Sequence, residues 1–169
     1  KTTTIKVLLG MTHPTAGDAR VFNLPASAAS SSVAIRQRIG FVSEDKDLYD
    51  FMSVEEMIRF TAPFFPKWRR DLEERYLRKF ELRPAQSVRS LSRGMRTKLA
   101  LLVALSRGAE LLIHDEPTSG LDPAMTEEVL QALVTHVDRE QMTVFFSSHQ
   151  IAEVEQIADH VAIVDRGRA

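Results

Sequence analysis

The sequence predicts an α/β fold: a mainly parallel sheet flanked by helices, plus an inserted helical subdomain. Three observations carry this. Short apolar runs in "RIGFVSED", "ELLIHDEP" and "MTVFFSSH" each end in charged or polar residues. Stretches of helical spacing lie between them, and the middle of the chain is helical over a long span. Apolar strands alternating with helices imply a sheet covered on both faces, with ligands bound at the carboxyl ends of its strands.

In chain order, "KTTTIKVLLG" places Ile5, Leu8 and Leu9 on one helical face, and Gly10 followed by Pro14 supplies the stop. Lys1 and Thr2 then sit at the positive end of a short helix. "TAGDARVFN" holds a Gly-Asp turn and a short strand. "PASAASSSVA", residues 25–34, reads as a flexible surface loop because its residues are small and polar. A second strand over Ile39–Val42 runs into a polar loop. "SVEEMIRF" is a capping box, with Ser53 and Glu56 spaced to exchange hydrogen bonds. "RDLEERYLRKF" aligns Leu72, Tyr76 and Phe80, and "LSRGMRTKLALLVALSRG" runs from a Ser92 cap to Gly108. Between the last two strands a helix turns Val129, Leu130, Leu133, Val134 and Val137 inward. A helix over 151–158 leads into a final apolar run, "VAIVDRG". Residues 1–50 and 109–169 thus form the α/β core, and 51–108 the helical lobe.

Composition narrows the function. At 169 residues, with 44% hydrophobic and 27% charged side chains, the chain has globular proportions and length for a sizeable core. A net charge of −1 argues against a general nucleic-acid or membrane-surface binder, so no nucleic-acid partner is expected. The absence of cysteine excludes disulfides, thiolate metal sites and a cysteine nucleophile. No apolar run approaches the roughly 20 residues of a spanning helix.

"LLIHDEPTSGLD" is the most informative stretch. An apolar strand delivers Asp115 and Glu116 to the rim, their side chains diverging because strand residues alternate. Asp115 can hold a magnesium ion directly or through water, while Glu116 can orient or deprotonate an attacking water. A bare Asp-Glu-Pro is equally a charged pair that begins a turn. In "LSRGM", Ser92 and Gly94 open a helix whose hydroxyl, free N–H groups and dipole suit a nucleotide's terminal phosphate; alone, this is also an ordinary capped helix. His149 ends a third strand at the same rim, where an imidazole can meet a phosphate oxygen or the attacking water. His13, His136 and His160 carry the plainer reading of structural or exposed histidines.

Together these segments resemble the nucleotide-binding domain of ABC transporters, P-loop NTPases, in the expected order along nearly the whole chain. Lys1 and Thr2 look like the end of Walker A, "LSRGM" like the signature motif, "LLIHDE" like Walker B, "SGLD" like the D-loop and His149 like the switch histidine. The resemblance implies ATP and Mg2+ as cofactors. It assigns catalysis to Glu116 and His149, nucleotide contacts to Lys1, Thr2, Thr3, Glu44, Ser92, Gly94 and Asp122, and magnesium to Thr2, Asp115 and Glu44. Implied partners are a second nucleotide-binding domain, whose site Ser92 completes, and a transmembrane permease met near residues 44–52. The expected location is cytoplasmic, at the inner face of the membrane through that permease.

Three departures stand out. Glu44 occupies the Q-loop position, where the family usually has glutamine; it keeps an oxygen for magnesium but adds charge and loses the amide donors. "LSRGM" replaces the more usual "LSGGQ", similar to a branch of bacterial exporters. Nothing matches the glycine-rich half of Walker A, the adenine-stacking aromatic or the first strands, so "KTTT" reads as a phosphate loop cut through its middle, and this stretch alone is expected to be inactive. Two alternatives remain: a soluble ABC-type ATPase acting on the ribosome, and a degenerate nucleotide-binding module. The chromosome-organising relatives are excluded, because no long coiled coil fits between Glu44 and Ser92.

Overall fold

The computed structural model describes residues 1–165. At its centre lie three parallel strands in the order β3 (Ile39–Val42), β4 (Leu111–Asp115), β5 (Thr143–Ser147). Ile39 pairs with Leu111 and Leu111 with Thr143, while Asp115 and Ser147 form the last rung. A two-stranded antiparallel ribbon, β1 (Arg20–Val21) and β2 (Leu24–Pro25), lies apart from it. The α/β prediction with helices on both faces holds.

Alternation along the strands assigns each face its partner. Ile39 and Ile113 pack with Ile5 and Leu9 of the α1 region (Thr2–Leu8), Val21 and Ile35. Val42 and Leu112 face the larger cluster, which includes Leu72, Phe80, Leu99, Val129 and Leu133. Helix α1 stops as expected: Gly10 at φ 65° lets its N–H reach Val7 O and the Met11 N–H reach Lys6 O, a Schellman closure.

On the second face, α3 (Val54–Thr61) begins with the predicted capping box, Ser53 Oγ accepting from Glu56 N at 3.2 Å and Glu56 Oε2 from Ser53 N at 2.8 Å. Helix α4 (Arg70–Lys79) buries Leu72 and Tyr76. Helix α5 (Arg93–Leu105) is apolar nearly all round because the sheet lies on one side and α4 on the other; Leu99, Leu101 and Leu102 are wholly enclosed. Two polar links tie α4 to α6 (Pro123–Glu140): Tyr76 OH lies 2.9 Å from His136 Nδ1, and Arg69 pairs with Glu140 at 2.8 Å. The last helix among the described residues is α7 (Ile151–Ile157).

Three expectations need correction. Part of the small polar tract at 25–34 is helical, α2 (Ala29–Gln37). Ser31 Oγ donates to Pro25 O at 2.6 Å and Ser32 Oγ to Ala29 O at 3.2 Å, so the hydroxyls are satisfied locally, and Ile35 is buried in the cluster that holds Ile5, Leu9 and Ile39. In α6, Val134 is exposed; the inward stripe is Val129, Leu130, Ala132, Leu133 and His136, with Val137 half-buried. The apolar run 161–164 forms no strand, and Val161 and Ile163 are exposed. The last two residues of "VAIVDRG" lie outside the described residues.

Candidate functional site

Two strand ends build the site. Asp115, 2% exposed, closes β4, and Ser147 Oγ at the end of β5 donates to its Oδ1 at 2.5 Å. The chain then turns sharply: Glu116 takes φ 50°, a left-handed conformation costing a non-glycine residue about 1–2 kcal/mol. Its N–H donates to Ser147 O at 3.1 Å and to Ser147 Oγ at 3.3 Å. The strand ends at Asp115, so this turn, rather than the expected strand alternation, sets the direction of Glu116.

Glu116 has different company from Asp115. Its Oε2 lies 2.7 Å from His149 Nδ1 and its Oε1 3.7 Å from Lys1 Nζ, and the same ammonium donates to Ser148 O. The structure thus brings Lys1, Glu116 and His149 together. Glu116 is largely enclosed, with 14% of its side chain exposed, whereas His149 at 65% opens to solvent. Thr2 and Thr3 occupy the exposed first turn of α1 beside Lys1. Among the described residues, no group of three or more His, Asp or Glu side chains is arranged to hold a metal ion.

Glu44 lies near the loop after Glu116: Ser119 Oγ donates to its Oε1 at 3.2 Å. Buried Lys46 donates to Glu44 O at 2.8 Å, and burial, with the charge of Arg93, pushes its ammonium below the ordinary lysine range. Ser92 and Gly94 flank Arg93, whose guanidinium lies against Gly120 in the loop after Glu116. Ser92 caps α5 through Met95 N at 3.2 Å, and Asp122 caps α6 through Met125 N at 2.9 Å. A Cβ on Gly94 would meet the methyl of Met125, so the two helix starts touch. Among the described residues no hydrogen bond or ion pair joins Ser92, Gly94 or Asp122 to Lys1, Glu116 or His149.

Sequence reasoning missed four side chains that organise the rim: Ser147, Thr118, Ser148 and Glu153. Glu153 Oε1 accepts from Thr118 Oγ1 at 2.5 Å and Oε2 from Ser148 Oγ at 3.0 Å. The available signals were the two hydroxyls of "FFSSH" and an acidic residue one helical turn beyond His149. His114 was also overlooked; wholly buried, it makes no hydrogen bond through either ring nitrogen, and burial pushes its imidazole down to about 3.

The parallel sheet presents an Asp-Glu pair and a histidine at one rim, beside a lysine at a helix start, on an α/β fold of the P-loop NTPase class. Residues 1–119 match the family model described as ABC transporter, and the chain belongs to that family. It is 32% identical over 170 residues to the bacitracin transport ATP-binding protein BcrA of Bacillus licheniformis, covering 99% of this chain and 55% of the relative. It is also 32% identical over 173 residues to the Nod factor export ATP-binding protein I of Cupriavidus metallidurans, covering 99% and 56%. Among solved structures, an ATP binding subunit of an ABC transporter superposes with a TM-score of 0.80 at 26% identity, covering 94% of this chain and 67% of that one. The chain therefore spans about half the length of the curated relatives it matches. No helix among the described residues is long and apolar enough to cross a membrane.

Proposed function

We propose that the full-length protein binds and hydrolyses ATP with magnesium and thereby powers a membrane transporter, with export as its direction. The observation that carries the reading is the convergence of Lys1, Glu116 and His149 on one rim beside the buried Asp115. Export is favoured by the Nod factor relative's name.

In this reading Glu116 polarises the attacking water and His149, hydrogen-bonded to it, orients that carboxylate and meets the terminal phosphate. Lys1, Thr2 and Thr3 contact the phosphates. Asp115, Thr2 and Glu44 would supply oxygens for a magnesium ion that arrives with the nucleotide. Magnesium there would neutralise charge on the transferring phosphoryl group. Ser92, Gly94 and Asp122, which among the described residues make no hydrogen bond to the carboxylates, serve the nucleotide of a second nucleotide-binding domain. Residues 51–108 form the lobe that meets a permease, which holds the protein at the cytoplasmic face of the membrane.

Glu116→Gln tests this in the full-length protein. ATP binding should stay within about threefold while magnesium-dependent turnover falls at least about 100-fold, the lower range for general-base removal. An ATP-dependent dimer should persist. Turnover near the parental rate would refute the role of Glu116.

A further inference from the structure

We propose that Glu153 is a positioning residue that holds the Glu116 and His149 loops in register. The inference rests on the reading of Glu116 and His149 as the hydrolytic pair. Glu153 is 5% exposed on α7, and among the described residues it makes no salt bridge. A carboxylate so enclosed is costly unless its oxygens are hydrogen-bonded. Here each oxygen is taken by a hydroxyl from a different loop: Thr118, just past Glu116 and Pro117, and Ser148, immediately before His149.

The backbone ladder between β4 and β5 ends at Asp115 and Ser147. Beyond that rung, past the Glu116 N–H to Ser147 O bond, the buried carboxylate links the two loops through Thr118 and Ser148, and the Glu116–His149 contact links them again at 2.7 Å. Thr118 is itself 2% exposed, so its hydroxyl has no water to turn to if Glu153 is lost. Displacement of a reacting group by about 1 Å can cost on the order of 100-fold in rate.

Glu153→Gln keeps the shape but removes the charge and offers one acceptor oxygen in place of two, so one hydroxyl must turn and accept from the new amide N–H instead of donating. In the full-length protein, kcat for ATP should fall about 10- to 100-fold with KM for ATP within about threefold. Thr118→Val removes one bond from the other side, and the double variant should be little worse than the poorer single one. A purely structural role would not change the environment of His149 in a protein of unaltered melting temperature. Nitrogen NMR of His149 Nδ1 should therefore move toward the position of a free imidazole in Glu153→Gln, and in the same direction in Ser148→Ala, which serves equally if the glutamine variant fails to fold. An unmoved His149 resonance in the folded variants overturns the proposal. A parental protein without ATPase activity would defeat the functional reading, while the resonance would still decide the role of Glu153.

Discussion

Acid should destabilise the chain through His136, and the effect has a calculable ceiling. The ring is 3% exposed between α4 and α6, with Nδ1 2.9 Å from Tyr76 OH. Burial pushes it down to about 4; Glu140 pulls the other way, while Arg75 and Arg69 reinforce the fall. An unfolded histidine titrates near 6.5. Above about pH 6.5 both states hold the ring neutral and the contribution to stability is complete. As pH falls from there toward 4 the unfolded chain takes a proton that the fold refuses, and stability is lost; below about 4 the loss levels off. A gap of about 2.5 units corresponds to roughly 3 kcal/mol as an upper bound, and about 2 kcal/mol after allowance for partial solvation at the helix junction.

His114 adds a parallel loss, so the measurement must be a difference between variants. Tyr76→Phe combined with His136→Leu removes both polar partners together and should be nearly neutral at pH 7.5. The double variant should then lose about 2 kcal/mol less than the parent between pH 7 and 4. Tyr76→Phe alone strands the buried nitrogen and should cost about 1–3 kcal/mol at pH 7.5. Urea unfolding followed by fluorescence of the single tryptophan, Trp68, whose Nε1 donates to Glu73 Oε2 at 2.7 Å, reports on this layer. Equal losses of stability in parent and double variant across that pH window would show that His136 is not the proton acceptor.

Two further substitutions probe residues 51–108. Ser92→Arg in the full-length protein should leave ATP binding to the monomer within about threefold yet abolish ATP-dependent dimer formation in sedimentation, with Ser92→Ala as the control for loss of the cap; weak binding by isolated monomers would contradict a role toward a second domain. Ser53→Ala removes the hydroxyl half of the capping box and should cost about 0.5–2 kcal/mol, read from the urea midpoint; an unchanged midpoint would show that α3 gains nothing from its cap.

The strands and capped helices were legible because each follows from a local rule. Ile39–Val42 is an apolar run with polar flanks, and Ser53 with Glu56 is a spacing that works within one helical turn. What escaped depended on tertiary partners. The serines of α2 look loop-like until Ser31 is seen bonded to Pro25 and Ile35 buried in the cluster under the sheet with Ile39 and Ile113. The inward stripe of α6 was shifted because His136, polar in sequence, is taken into the core by Tyr76. The run at 161–164 has the composition of a strand, but a strand also needs a neighbour, which composition does not specify. The apolar runs located Asp115 at the end of one strand, while Glu116 and His149, read as strand-end residues, lie just beyond β4 and β5. Ser147 and Glu153 were not recognisable, since hydroxyls and carboxylates acting through other residues leave no spacing of their own.

The left-handed turn at Glu116 sets two kinds of selection against each other. Glycine adopts that conformation without the penalty of about 1–2 kcal/mol that a side chain incurs, so a library screened only for thermal tolerance would be expected to drift toward glycine at 116 and discard the carboxylate paired with His149. Heat resistance is therefore a misleading guide at this position, and consensus built from stability-selected variants would erase the proposed base while improving the fold.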